Sequence, residues 1–118
     1  MNIQLTKLYG IWRHEHENVI TDFNIRAYNE RQNTGLSLFT IFSWTDSGSN
    51  IKYEWQGAVS IQNHPVEITD IIIQGINYTE DKPIYQNLKI WHFTPSIMIL
   101  ELGNGQKMEF KKLGLDAG

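Results

Sequence analysis

"IKYEWQGAVSIQ", residues 51–62, alternates without a break. Ile51, Tyr53, Trp55, Gly57, Val59 and Ile61 share one face, and Lys52, Glu54, Gln56, Ala58, Ser60 and Gln62 share the other. Successive side chains of a strand point to opposite sides, so this stretch reads as a strand with one buried and one wet face. Gly57 in its middle marks a bend of the kind closed sheets use at corners.

Similar runs, rich in Ile, Phe, Trp, Tyr and Thr, recur on both sides of it. Eight strands are expected, at about 8–17, 20–28, 36–44, 51–62, 66–74, 84–93, 96–102 and 106–113. The breaks between them, among them "NERQNTG", "TDSGSN", "NHP", "QGINYTEDKP" and "GNG", leave no room for a crossover helix. Parallel neighbours need such a crossover, so sequence neighbours should pair antiparallel. The last hairpin even has a register. With Gly103-Asn104-Gly105 as a three-residue loop, Leu102 faces Gln106, Leu100 faces Met108 and Met98 faces Phe110, all on one face. Glu101 then opposes Lys107, and Ile97 opposes Lys111. A two-residue loop would set Leu100 against Glu109, which the pattern disfavours.

A chain of 118 residues is one domain on length alone, spanning 1–118. Eight meandering strands must bury their apolar faces and protect their edges. Closing the sheet does both, so the expected fold is all-β, an eight-stranded antiparallel up-and-down barrel. A two-sheet β-sandwich is the alternative.

Bulk properties exclude several function classes. The net charge of -3 and scattered Lys and Arg residues argue against a nucleic-acid partner. There is no cysteine, hence no disulfide framework and no thiolate metal site. No apolar run is long enough for a signal peptide or a membrane span, so a cytoplasmic location and no membrane partner are expected. No phosphate loop, zincin helix or nucleophile elbow occurs, and no motif calls for a cofactor.

At "KLYGIW" the chain resembles the lipocalins and related calycins, which open their first strand with Gly-x-Trp, here Gly10-Ile11-Trp12. The resemblance implies a barrel whose Trp12 closes the base under a cation from the last strand, here Lys111 or Lys112. It also implies a small, mostly apolar ligand. The chain departs from the family in being shorter, in lacking the helix after the barrel and in lacking cysteines. Avidins share the Gly-x-Trp, but "RHEHEN" stands where their biotin-binding residues would be, so biotin binding does not carry over.

The stretch "GIWRHEHEN", residues 10–18, supplies the candidate polar groups. If Trp12 points inward, so do His14 and His16, at increasing height toward the barrel mouth. The preferred reading has this strand leaving the wall, with both histidines solvated. Contact with the polar end of a ligand comes next, and a shared metal last. His92 is a third imidazole, on a face with Ile84, Gln86, Leu88 and Ile90; the opposite assignment would bury Lys89 with Trp91 and Phe93. His64, before Pro65 in a turn, is a poor partner. Asp70 is the one acid on the face Val66-Ile68-Asp70-Ile72. It either orients a histidine or marks a bend, and the bend is preferred.

Trp44, Tyr53 and Trp55 are expected to wall a ligand cup, with Tyr28 beside them. The expected ligand-binding set is therefore Trp12, His14, His16, Tyr28, Trp44, Tyr53, Trp55 and His92. The leading functional expectation is a barrel holding a small hydrophobic or amphipathic molecule, which requires a recess of roughly 300 Å³ or more. A second is an isomerase- or cyclase-type enzyme using His14 and His16 as general acid–base groups. A third is a protein-interaction module or homodimer acting through the outer face, because Phe39 and Ile41, and Ile97 and Ile99, stand opposite faces that are themselves apolar.

Overall fold

Each strand pairs antiparallel with its sequence neighbour, and the last pairs with the first, so the sheet closes into a barrel with no free edge strand. The computed structural model describes residues 3–27, 37–45, 51–64, 68–102 and 105–114. A 3-10 turn, Leu5–Leu8, leads into β1 (Gly10–His16), β2 (Val19–Ala27), β3 (Ser37–Thr45) and β4 (Ile51–Asn63). Then come β5 (Thr69–Asn77), β6 (Lys82–Phe93), β7 (Ile97–Glu101) and β8 (Lys107–Gly114). The order is up-and-down throughout, as the short connections require. The sandwich alternative is set aside.

The inward faces obey the period of two. Phe23 and Ile25 on β2, Phe39 and Ile41 on β3, Val59 on β4, and Met98 and Leu100 on β7 are all buried. The β7–β8 register is the one the hairpin pattern predicts: Met98 faces Phe110, Leu100 faces Met108 and Glu101 faces Lys107. Gly105, at φ +82°, sits in that connection, while Gly103 and Asn104 lie outside the described residues.

β5 departs from expectation. It runs Thr69–Asn77, about three residues later than its pattern suggested. Its inner face is Thr69, Ile71 and Ile73, the phase opposite to the one expected. Gly75 does not break the strand, because it pairs directly with Gly57 across the sheet. The turn comes after Asn77, whose side-chain oxygen accepts the backbone N–H groups of Thr79 (3.0 Å) and Glu80 (3.1 Å). Asp70 faces outward in an unshifted β4–β5 ladder, so it marks no bend. Its carboxylate instead accepts a hydrogen bond from His64 Nε2 at 2.9 Å, tying the end of β4 to the start of β5. Val66 lies outside the described residues.

One end of the barrel is sealed by the chain that precedes it. Ile3, Leu8 and Trp12 are buried there together. Asn63, at the foot of β4, clamps the Ile3 backbone from both sides, accepting from its N–H (2.9 Å) and donating to its carbonyl (3.0 Å). Gly10 joins the plug to β1 at φ +132°, a conformation open to glycine and costly for other residues. Trp12 has no exposed surface. Its indole N–H donates to the Leu8 carbonyl at 2.9 Å, its ring meets Phe93 at 5.9 Å, and Lys112 Nζ lies 5.1 Å from the ring centre.

Outside the wall, Arg13 on β1 makes a two-pronged contact with Asp22 on β2, Nε to Oδ1 at 2.8 Å and Nη2 to Oδ2 at 3.0 Å. The hydrogen bond to Asp22 raises the guanidinium pKa further above its ordinary value, so this cation stays charged under all ordinary conditions. The guanidinium also lies 5.5 Å from the Trp44 ring centre. Asp22→Asn should cost about 1 kcal/mol, since one member of a well-aligned, half-buried pair is lost. A lower midpoint in urea unfolding is the expected result.

Candidate functional site

β1, β3, β5 and β7 all run toward the end opposite the plug. A recess of 410 Å³ lies there, lined by His14, His16, Glu17, Val19, Thr21, Ser43, Tyr53, Leu102, Gln106 and Met108. A smaller slot of 50 Å³ shares Thr21, Tyr53, Leu102 and Met108 with it and is otherwise walled by Phe23, Ile41, Trp55, Gln86, Leu88, Leu100 and Phe110. The slot is the deeper of the two, because Phe23, Ile41 and Trp55 stand one inward rung below Thr21, Ser43 and Tyr53. Below the slot, Ile25, Phe39, Ile71, Ile73, Ile90 and Met98 are buried in the core. Among the described residues, the recess at the mouth is the larger of these two spaces inside the wall.

Three of the expected residues come together around this space and a fourth guards its edge. Tyr53 lines both recess and slot, and its ring lies 5.3 Å from that of Trp55. His16 stands at the rim, its side chain 72% exposed and 3.8 Å from Glu17. Glu17 holds φ +54°, a left-handed conformation that strains a non-glycine residue at this rim.

His14 has a more particular place. The β1–β8 ladder ends at Arg13↔Lys111. Just above that point His14 Nδ1 donates to the Glu109 carbonyl at 2.9 Å, so an imidazole N–H takes up an acceptor on the β8 edge. A carbonyl only accepts, which fixes the proton on Nδ1. The ring also packs 5.6 Å from Phe110 and is stacked 6.3 Å from His16. His14 lines an outer groove as well, with Arg13, Glu15, Glu109, Lys111 and Leu113. It thus fills the seam between the mouth and the outside. The preferred expectation, both histidines left in solvent, describes His16 and not the half-buried His14. His14→Ala should cost about 1 kcal/mol and should speed amide exchange in Lys107–Phe110 while leaving β4 and β5 unaffected.

The remaining expected residues lie elsewhere. Trp12 is in the plug and borders neither recess nor slot. His92 faces outward, against expectation. A β-bulge between Ile90 and His92 inserts Trp91 as an unpaired extra residue, so Trp91 and His92 are both exposed and Phe93 turns back in toward Trp12. Trp44 also faces outward, beneath Arg13 and 5.3 Å from Phe42, because Ser43 holds the inward phase. Tyr28 lies outside the described residues. Among the described residues, no third His, Cys, Asp or Glu joins His14 and His16 in a metal-sized cluster.

Compared with known protein families, curated proteins and solved structures, the chain matches none.

Sequence reasoning missed several lining residues. Leu102 and Met108 are already on the inner face in the hairpin register, so the signal was there to use. Thr21 and Ser43 share a hydrogen bond of 3.1 Å between buried hydroxyls. Their signal is weaker: two small polar residues in phase with an apolar face. On the outer wall Ile97 and Ile99 are half-buried, and among the described residues no helix is long and apolar enough to cross a membrane.

Proposed function

We propose that this barrel binds a small hydrophobic or amphipathic molecule end-on through its mouth, in the manner of a lipocalin-like cup. The observation that carries this reading is the pairing of a sealed base with a 410 Å³ recess at the other end. That volume falls in the range of small-molecule sites, roughly 300–1,000 Å³. The recess has a polar rim of His16, Glu17 and Gln106 and narrows to an apolar slot. A ligand with one polar and one apolar end matches that gradient. The indole of Trp12 under Lys112, and the glycine-specific backbone at Gly10, support the lipocalin-like reading of the base.

Native mass spectrometry of freshly purified protein should detect a co-purified small molecule, and an amphipathic fluorescent probe should bind and be displaced by it. Leu102→Trp places a larger ring in the recess from its half-buried position and should weaken probe binding roughly tenfold or more with unfolding unchanged. Equal affinity in the variant would sink the mouth as the site. The enzyme reading has less support, because His14 Nδ1 is held by a backbone carbonyl and not by an orienting carboxylate. An outer-face homodimer would draw on Ile97 and Ile99, and light scattering over a range of concentrations tests it.

A further inference from the structure

Glu17 stands where the backbone favours glycine. The β1–β2 connection is a two-residue turn, Glu17-Asn18, closed by the His16↔Val19 pair. Glu17 has φ +54°, and Asn18 does not share the positive φ. A two-residue hairpin turn with positive φ at its first central residue alone is the kind that takes glycine there. A side chain in that backbone region carries a cost, and such costs persist where a site uses the residue.

The carboxylate that this turn presents lines the 410 Å³ recess. Among the described residues it is the one formal charge at pH 7 on the walls of recess or slot, since no Lys, Arg or Asp borders either. Lys82 and Lys107, which open β6 and β8 at this end, border neither space. Lys107 Nζ lies over Trp91, 4.3 Å from the ring centre, on the outer wall. Glu17 Oε1 is 3.8 Å from His16 Nε2, longer than a hydrogen bond, and its side chain is 82% exposed.

That single charge decides which polar head suits the rim. A carboxylate head would meet a like charge and no cation. An ammonium head meets an opposite charge and keeps its water at the exposed rim, so desolvation does not cancel the attraction. The body of the ligand then points down to the slot, between Phe23, Ile41, Leu88 and Leu100.

Resting on the reading of the mouth as a ligand cup, we infer that the ligand is an amphipathic amine, whose ammonium group pairs with Glu17 at the rim while its alkyl or aryl body fills the recess. Glu17 sets the sign of the head group that is accepted, and the turn bears the cost of holding it there.

The test compares three chain-matched probes on the full chain: a medium-chain primary amine, the alcohol and the carboxylate. At low salt the amine should bind roughly two- to fivefold tighter than the alcohol, the effect of one exposed ion pair, and roughly tenfold tighter than the carboxylate. Salt at about 1 M, where the screening length is near 3 Å, should erase the difference between amine and alcohol. Glu17→Gln keeps the size of the side chain, removes the charge and should bring amine and alcohol to parity. Glu17→Gly should do the same while raising the urea midpoint, because it also relieves the turn. Glu15→Gln changes the net charge equally but lies in the outer groove, and it should keep the preference. Equal binding of amine and alcohol by the unsubstituted protein overturns the inference while leaving the cup in place. Tighter binding of the carboxylate overturns it too, as does a preference that survives in Glu17→Gln or is lost equally in Glu15→Gln. Binding of none of the probes removes both the inference and the cup.

Discussion

Gly75→Ala is expected to destabilise the barrel by about 3 kcal/mol or more. Gly57 and Gly75 face each other across β4 and β5 on the inner side of the wall. A Cβ on Gly75 would strike the Gln56 carbonyl oxygen and lie 2.7 Å from Gly57 Cα. A Cβ on Gly57 would strike the Gln74 carbonyl oxygen and lie 2.9 Å from its carbon. These obstacles are backbone atoms in a paired ladder, which cannot swing aside as a long side chain would. The strands would have to part, breaking hydrogen bonds in the middle of the sheet. Gly57→Ala should cost a similar amount, and the double variant less than the sum, since parting the strands once relieves both contacts. Urea unfolding of Gly75→Ala beside Gln74→Ala, a change at an exposed neighbour, checks the expectation. Losses within about 0.5 kcal/mol of one another would show that the ladder can relax.

Trp12→Ala should cost about 3–5 kcal/mol, the usual range for removing a large aromatic from a packed core. The cost has separable parts. Trp12→Phe keeps most of the apolar volume but leaves the buried Leu8 carbonyl without its donor, and should cost about 1–3 kcal/mol. Lys112→Ala removes only the cation above the ring, for about 0.5–1 kcal/mol. Because the Leu8 carbonyl is bonded to this indole and Leu8 and Ile3 are buried in the same core cluster, Trp12→Ala should also release the plug. Amide exchange in residues 3–9 should rise much more than in β3 or β4. Uniform acceleration across all strands would mean that the plug and the barrel unfold as one unit.

The contrast between β4 and β6 shows why some parts of this molecule are legible in the sequence and others are not. On β4 the alternation is strong over its whole length, and residue types alone place Tyr53, Trp55 and Val59 inward, as the structure has them. On β6 the same rule places Ile84, Leu88 and Ile90 inward correctly. It then fails at His92, because one extra residue at the bulge reverses the phase of the strand beyond it. No residue type near Ile90 announces that insertion. It depends on how β7 pairs alongside. Asp70 fails for a related reason: Val66, Ile68 and Ile72 form one plausible apolar face, Ile71 and Ile73 the other, and types alone cannot choose between two greasy faces.

The candidate site is legible in the same uneven way. His14, His16, Tyr53 and Trp55 stand out in the sequence and do border the mouth or its slot. Trp44 stands out for its size and lies outside, because parity outranks size in deciding where a strand residue points. The role of His14 at the seam depends on which atoms lie opposite, and those come from a strand remote in the chain.

By itself, then, the sequence determined the number of strands, their antiparallel order and the register of the last hairpin. All of these come from a period of two and from connections too short for a crossover. Only the tertiary structure decided where the empty space lies. Parity is a property of neighbouring residues, but a cavity is the difference between the volume eight strands enclose and the volume their side chains fill. Among the described residues a recess of 410 Å³ lies at the mouth, above a slot of 50 Å³, and no single segment of the chain contains it.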